Sequence, residues 1–207
     1  METGFWLSIT LACLLGAMSP GPSLAVIVNL SVSEGRLAGT LAAISHGFMI
    51  GVYALATAFG LVAILDHQPL IFKSVQIAGC LFLIWMALRL LFSSTTNLDS
   101  YSVAVARPSK WLAIRDGFLI ALVNPKTIVF FSALFSQFVD ANSQHWEKAA
   151  MAVIAGGVDM LWYTVVAVVI SQSTSLTALH RRSGWVNKVF AIVLLVIAVG
   201  FIIQIVD

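Results

Sequence analysis

The sequence predicts an all-α integral membrane protein: six transmembrane helices forming two inverted three-helix repeats, with helices 1 and 4 broken. Three observations predict it. Hydrophobic residues make up 60% of the 207 and charged residues 10%, against roughly 45–50% and about 25% in globular proteins. The apolar residues fall into six long runs with one extended polar stretch near the middle of the chain. Each half opens on a run interrupted by proline.

A mean hydropathy of +0.99 is a membrane value, and a 22.2 kDa water-soluble fold has too much surface to cover with so few charges. The same composition excludes a disordered chain, a coiled coil and a nucleic-acid partner, and the net charge of +2 is small. Cys13 and Cys80 lie inside apolar runs and make neither a CxxC nor a metal-ligand spacing. Nothing in the sequence calls for a cofactor or a resident metal. The opening residues Met1-Glu2-Thr3-Gly4-Phe5-Trp6 lack a basic region, so the first run is expected to stay as a span.

A bilayer core of ~30 Å needs about 20 apolar residues per helix. The runs at about 5–30, 38–65, 69–92, 113–139, 148–170 and 186–206 meet that length. They are continuously apolar, without the period-two alternation of a barrel strand. We read residues 1–207 as one transport domain: a first repeat over about 1–92, a cytoplasmic linker over about 93–112 and a second repeat over about 113–207. Three spans per half make the halves enter the membrane from opposite sides, so the repeat is inverted.

Charge sets the orientation. With the N-terminus outside, the inner loops hold Arg36, Arg89, Arg107, Lys110, Arg115, Arg181, Arg182 and Lys188, and the outer side only Lys73 and Lys148. That is a positive-inside bias, and it places both termini outside. Lys126 is left within a span.

Polar and broken features converge at mid-depth. At ~1.5 Å per residue, Pro125 lies about 15 Å beyond Arg115, His46 about 15 Å beyond Arg36, and Asp159 about 16 Å in from Lys148. In Ser19-Pro20-Gly21-Pro22-Ser23 two prolines remove backbone donors, so the helix unwinds and a new half-helix starts after Pro22. Such an N-terminus favours an anion, and Ser23 adds a hydroxyl. Asn124-Pro125-Lys126 repeats the device with a charge added. Interrupted segments in corresponding positions of two halves point to a transporter's binding site. Pro20, Gly21, Pro22, Ser23, Asn124, Pro125 and Lys126 are therefore the candidate substrate-binding residues. A deep lysine faces a cavity or a carboxylate, so Lys126 binds a substrate carboxylate or pairs with Asp159. Asp159 takes up a proton or binds a substrate ammonium, and His46 relays protons or bonds a neighbouring helix. The pairs Gly35/Gly39 and Gly47/Gly51 read as close helix packing.

Taken together, Met18-Ser19-Pro20-Gly21-Pro22, Ser33-x-Gly35-Arg36-x-x-Gly39, Asn124-Pro125-Lys126 with Phe130-Phe131, and Gln137-Phe138-Val139 resemble the lysine exporter / homoserine–threonine efflux (LysE/RhtB) family. Asp159-Met160-Leu161-Trp162-Tyr163 resembles its threonine and homoserine branch. The resemblance runs over nearly the whole chain. It implies a transporter, not an enzyme, in the bacterial inner membrane, exporting amino acids with protons and the lipid bilayer as its other partners, and it allows homodimers. It also supports the inverted three-plus-three fold with its broken first and fourth spans. This chain departs from the pattern with Ser23 where many members are acidic and Ser136 where many have proline. Exporters of basic amino acids carry Asp near the position of His46, so the resemblance implies a small neutral cargo such as threonine or homoserine.

Three other functions compete. A divalent metal-ion exporter needs clustered ligands, whereas His46, His67, His145 and His180 are scattered. A thiol–disulfide carrier needs a cysteine beside each break. An intramembrane hydrolase would use Ser23, His46 and Asp159 as a triad, which is recognised by geometry.

Overall fold

The computed structural model describes residues 3–92, 109–139, 143–170, 188–189, 191–200 and 202–203. Among them the regular structure is entirely helical: α1 (Thr3–Met18), α2 (Pro22–Ser33), α3 (Arg36–His67), α4 (Pro69–Phe92), α5 (Lys110–Val123), α6 (Pro125–Phe138), α7 (His145–Ile170) and α8 (Ala191–Gly200). The linker expected over 93–112 falls mostly outside the described residues.

Three helices, α3, α4 and α7, are each long and apolar enough to cross a membrane. The pairs α1–α2 and α5–α6 pass the same test only as pairs, bent by 59° and 56°. The apolar helix α8 lies inside the expected sixth span, whose ends are outside the described residues. Leu7, Phe48, Leu70, Trp111, Val153, Leu161 and Val196 are each more than half exposed. Apolar surface on that scale needs a nonaqueous neighbour, which a bilayer supplies.

The two bends share one cause. Pro22 and Pro125 each occupy the first turn of a new helix, where the missing N–H would have had no helical partner anyway. The residue before each proline is forced out of the helical region: Gly21 is extended at φ −177° and Asn124 sits at φ −72°, ψ 109°. Gly35, between α2 and α3, has φ +91° and open space around it. It is there for its backbone, which corrects the expectation that it packs a helix; its partner Gly39 does pack, against Ser31 and Ala167.

Helix α3 is the centre of the molecule, packed most extensively on α7 and α5. Its crossing with α7 is built on absent side chains. A Cβ on Gly47 would stand 2.5–2.7 Å from the Met160 Cβ and backbone, and one on Gly156 would stand 2.7 Å from the Gly47 carbonyl oxygen and 2.9 Å from the Gly51 Cα. Gly117 of α5 lies against the Ala42 carbonyl in the same way, and Ser45 Oγ donates to the Ile114 carbonyl at 2.8 Å. Small residues let helix backbones meet where no hydrophobic effect drives them together. Some contacts come in pairs: α1 lies on α7 as α5 lies on α3, and α2 touches α7 as α6 touches α3; α6 also packs on α4, and α2 on α3.

Candidate functional site

The two breaks meet. They and the α3–α7 crossing surround a cavity with about 430 Å³ of unfilled space, its open mouth included. Gly21, Ser23, His46, Asn124, Lys126 and Asp159 all line it. Pro20 and Pro22 do not; with Pro125, which opens α6, they shape the backbone that delivers the others. The nine sequence-selected positions thus fall at or beside one cavity, six of them lining it.

Side chains of the second break tie it to the first. The Asn124 Oδ1 accepts from the Lys126 backbone N–H at 3.0 Å and caps α6, while its Nδ2 donates to Ser23 Oγ at 2.9 Å. The Lys126 ammonium donates to the Ser19 carbonyl at 3.1 Å, just past the C-terminal end of α1, where the helix dipole is negative. A Cβ at Gly21 would lie 3.5 Å from both Cδ and Nζ of Lys126, so glycine keeps the ammonium open to the cavity. The two half-helices differ in one respect. Asn124 caps α6, whereas Gly21 gives α2 no side-chain cap. The first turn of α2 therefore has no side-chain acceptor at its cap.

On α3 and α7, His46 Nδ1 and Asp159 Oδ2 are 2.6 Å apart, with His46 1% and Asp159 6% exposed. With the carboxylate ionised, Nδ1 donates. The Tyr163 ring meets the imidazole edge-on, centroids 5.0 Å apart. Nε2 is buried without a partner, and so is Ser19 Oγ. Both His46 and Ser19 line the cavity. Asp159 therefore pairs with His46, not with Lys126, whose ammonium is held by the α1 carbonyl end. The Asp–His half of a triad exists, but Ser23 Oγ is engaged by Asn124 instead of by His46.

Sequence reasoning missed Ser19, Cys13, Thr127, Phe130 and Tyr163 as lining residues. Tyr163 was within reach of it, one helical turn beyond Asp159 and hence on the same face. The apolar wall was not. It comes from Cys13, Gly16, Ile50, Phe130 and Phe131, where a Cβ on Gly16 would lie 2.8 Å from the Phe130 ring. Among the described residues no group of three His, Cys, Asp or Glu side chains is placed to hold a metal ion.

The chain is 29% identical over 174 residues to the uncharacterised membrane protein YahN of Escherichia coli K12, covering 83% of this chain and 75% of that one. It is 25% identical to the threonine efflux protein of the same strain, covering 88% and 89%. It is 29% identical to a leucine efflux protein of Klebsiella pneumoniae, over 60% of this chain and 58% of that one. No solved structure matches it. A family model described as LysE type translocator matches residues 14–205. With that match running through both breaks, the α3–α7 crossing and every cavity residue but Cys13, the chain belongs to the LysE type translocator family, and its work is transport and not enzymatic catalysis.

Proposed function

We propose that the protein exports small neutral amino acids, threonine- or homoserine-like, from the cytoplasm by proton antiport. One observation carries the reading. The uncapped N-terminus of α2 and the Lys126 ammonium share a cavity with a buried His46–Asp159 pair. The first two recognise a carboxylate; the last offers a single negative charge to an ammonium or a proton. Relatives named for threonine and leucine efflux agree with a cargo of this size.

Neutral cargo follows from the charge count. Among the described residues Asp159 is the only acidic side chain that lines the cavity, and it already faces His46. A lysine or arginine substrate would bring a second positive charge with no partner, an expensive burial. Proton antiport follows from the same pair: ammonium and proton compete for one carboxylate, so loading with cargo favours proton release. The paired contacts of α1 with α7 and α5 with α3 support two inverted repeats, and the positive-inside count supports both termini outside.

Counterflow into reconstituted vesicles tests the cargo. Vesicles preloaded with unlabelled threonine, homoserine, leucine or lysine are offered the same labelled compound. Transient accumulation of the neutral compounds and none of lysine is expected. Accumulation of lysine alone would overturn the assignment.

A further inference from the structure

Gln137 belongs to a motif that the binding site does not use, and it sits in an unusual polar cluster. Gln76 Nε2 on α4 donates to the Ser136 carbonyl at 3.0 Å. In return Gln137 Nε2 donates to the Gln76 carbonyl at 2.9 Å and to Ser136 Oγ at 3.0 Å. Ser136 is fully buried and Gln137 is 8% exposed. The Ser136 carbonyl is among the last four of α6, which lack helical partners, so a side chain of another helix caps α6. Gly79 brings the two helices close, since a Cβ there would be 3.1 Å from the Ala133 Cα. One group is left over: Gln137 Oε1 is buried with no partner.

The cluster lies at the end of α6 away from the cavity. Between the two stand Phe130, Phe131 and Phe135, all buried, while Phe138, at the end of α6, is edge-on to Phe5 at 5.3 Å. Helix α6 is thus a rod that starts at the Asn124–Pro125 bend. Its near end is tied by Asn124 and Lys126 to the α1–α2 break, and its far end by amides to α4. Phe130 and Phe131 on its aromatic face line the cavity.

We propose that α6 is the gate of the translocation path on its C-terminal side and that the Gln76–Ser136–Gln137 cluster is the latch holding it shut. A fully satisfied cluster would weld α6 to α4; the unpaired Gln137 oxygen keeps this one releasable. Amide bonds of this kind inside membranes are weak enough to break within a transport cycle. Cargo whose carboxylate draws Lys126 from the Ser19 carbonyl loosens the near end of the same rod. The proposal takes the transport cavity as read, but its test needs no cargo and no flux.

Cys13 lines the cavity and reports on its access. With Cys80 replaced by alanine, its modification by a small membrane-impermeant methanethiosulfonate is timed in right-side-out and inside-out vesicles. Gln76→Leu and Gln137→Leu are each expected to speed modification from the α6 C-terminal side by roughly three- to tenfold. The double variant should add little to either, and modification from the other side should not speed up. An unchanged rate from the α6 side, or an equal rise from both sides as general loosening would give, overturns the latch. Should Gln137→Leu fail to insert, Gln137→Asn keeps the amide but withdraws it by one methylene, and the same one-sided rise is required. A one-sided rise in vesicles that export no amino acid would keep the gate and discard the cargo.

Discussion

Asn124 Nδ2 donates to Ser23 Oγ across 2.9 Å, joining the first turns of two half-helices 101 residues apart in the chain. The same side chain caps α6 through Oδ1. Two jobs can be separated by substitution. Asn124→Asp keeps the capping oxygen and loses the donor, whereas Asn124→Ala loses both. The alanine variant should lose about 1 kcal/mol for the cap, with a further loss for the buried Ser23 hydroxyl, and melt earlier in detergent. The aspartate variant should keep more of the melting temperature yet transport poorly. Equal melting of the two variants would show that the cap contributes nothing.

Gly156 and Gly157 are neighbours on α7 with opposite surroundings. A Cβ on Gly156 meets the Gly47 carbonyl and the Gly51 Cα, while one on Gly157 meets nothing within 4 Å. Gly156→Ala should therefore force α3 and α7 apart, at a cost of about 1–3 kcal/mol. It should also stretch the His46–Asp159 bond beside the crossing. Gly157→Ala should be neutral or stabilising, because alanine favours helix over glycine by about 1 kcal/mol. Thermal melts of the two purified variants check the pair, and equal effects would contradict the close crossing.

At Gly21 the backbone is extended, a conformation open to any residue, so Gly21→Ala should fold normally. Its methyl would stand 3.5 Å from the Lys126 ammonium and partly cover the α2 N-terminus. Half-saturation for a neutral amino acid should rise roughly tenfold, the loss of about 1.4 kcal/mol of carboxylate binding, with an unchanged melting temperature. Lys126→Ala should raise it further. If Gly21→Ala transports with unaltered half-saturation, the carboxylate does not sit at this break.

Much of this site was legible in the sequence because its causes are local. Proline removes a backbone donor wherever it stands, so Pro20, Pro22 and Pro125 announce two breaks without reference to the rest of the chain. Helical rise alone puts His46 and Asp159 at matching depth. Partner choice is different, because it depends on which faces the packing turns together. Lys126 and Asp159 were natural partners by charge, yet the glycine crossing of α3 and α7 delivers His46 to Asp159 first, leaving Lys126 to the carbonyl end of α1. The Gln76–Gln137 cluster was invisible for the same reason: two glutamines 61 residues apart carry no spacing signal. Gly35 shows the converse error, since a small-xxx-small spacing does not distinguish packing from a positive φ.

The central claim is that one buried carboxylate exchanges a proton for cargo in the cavity between the breaks. Vesicles carrying a pH-sensitive dye and a labelled neutral amino acid, with wild type or Asp159→Asn, test it most directly. In the wild type an imposed proton gradient should drive the amino acid uphill, with protons moving the opposite way. Asp159→Asn should insert normally and lose that uphill movement, together with the cargo-dependent proton flux. Undiminished uphill transport by Asp159→Asn would contradict the account, because the carboxylate paired with His46 would then carry neither proton nor cargo.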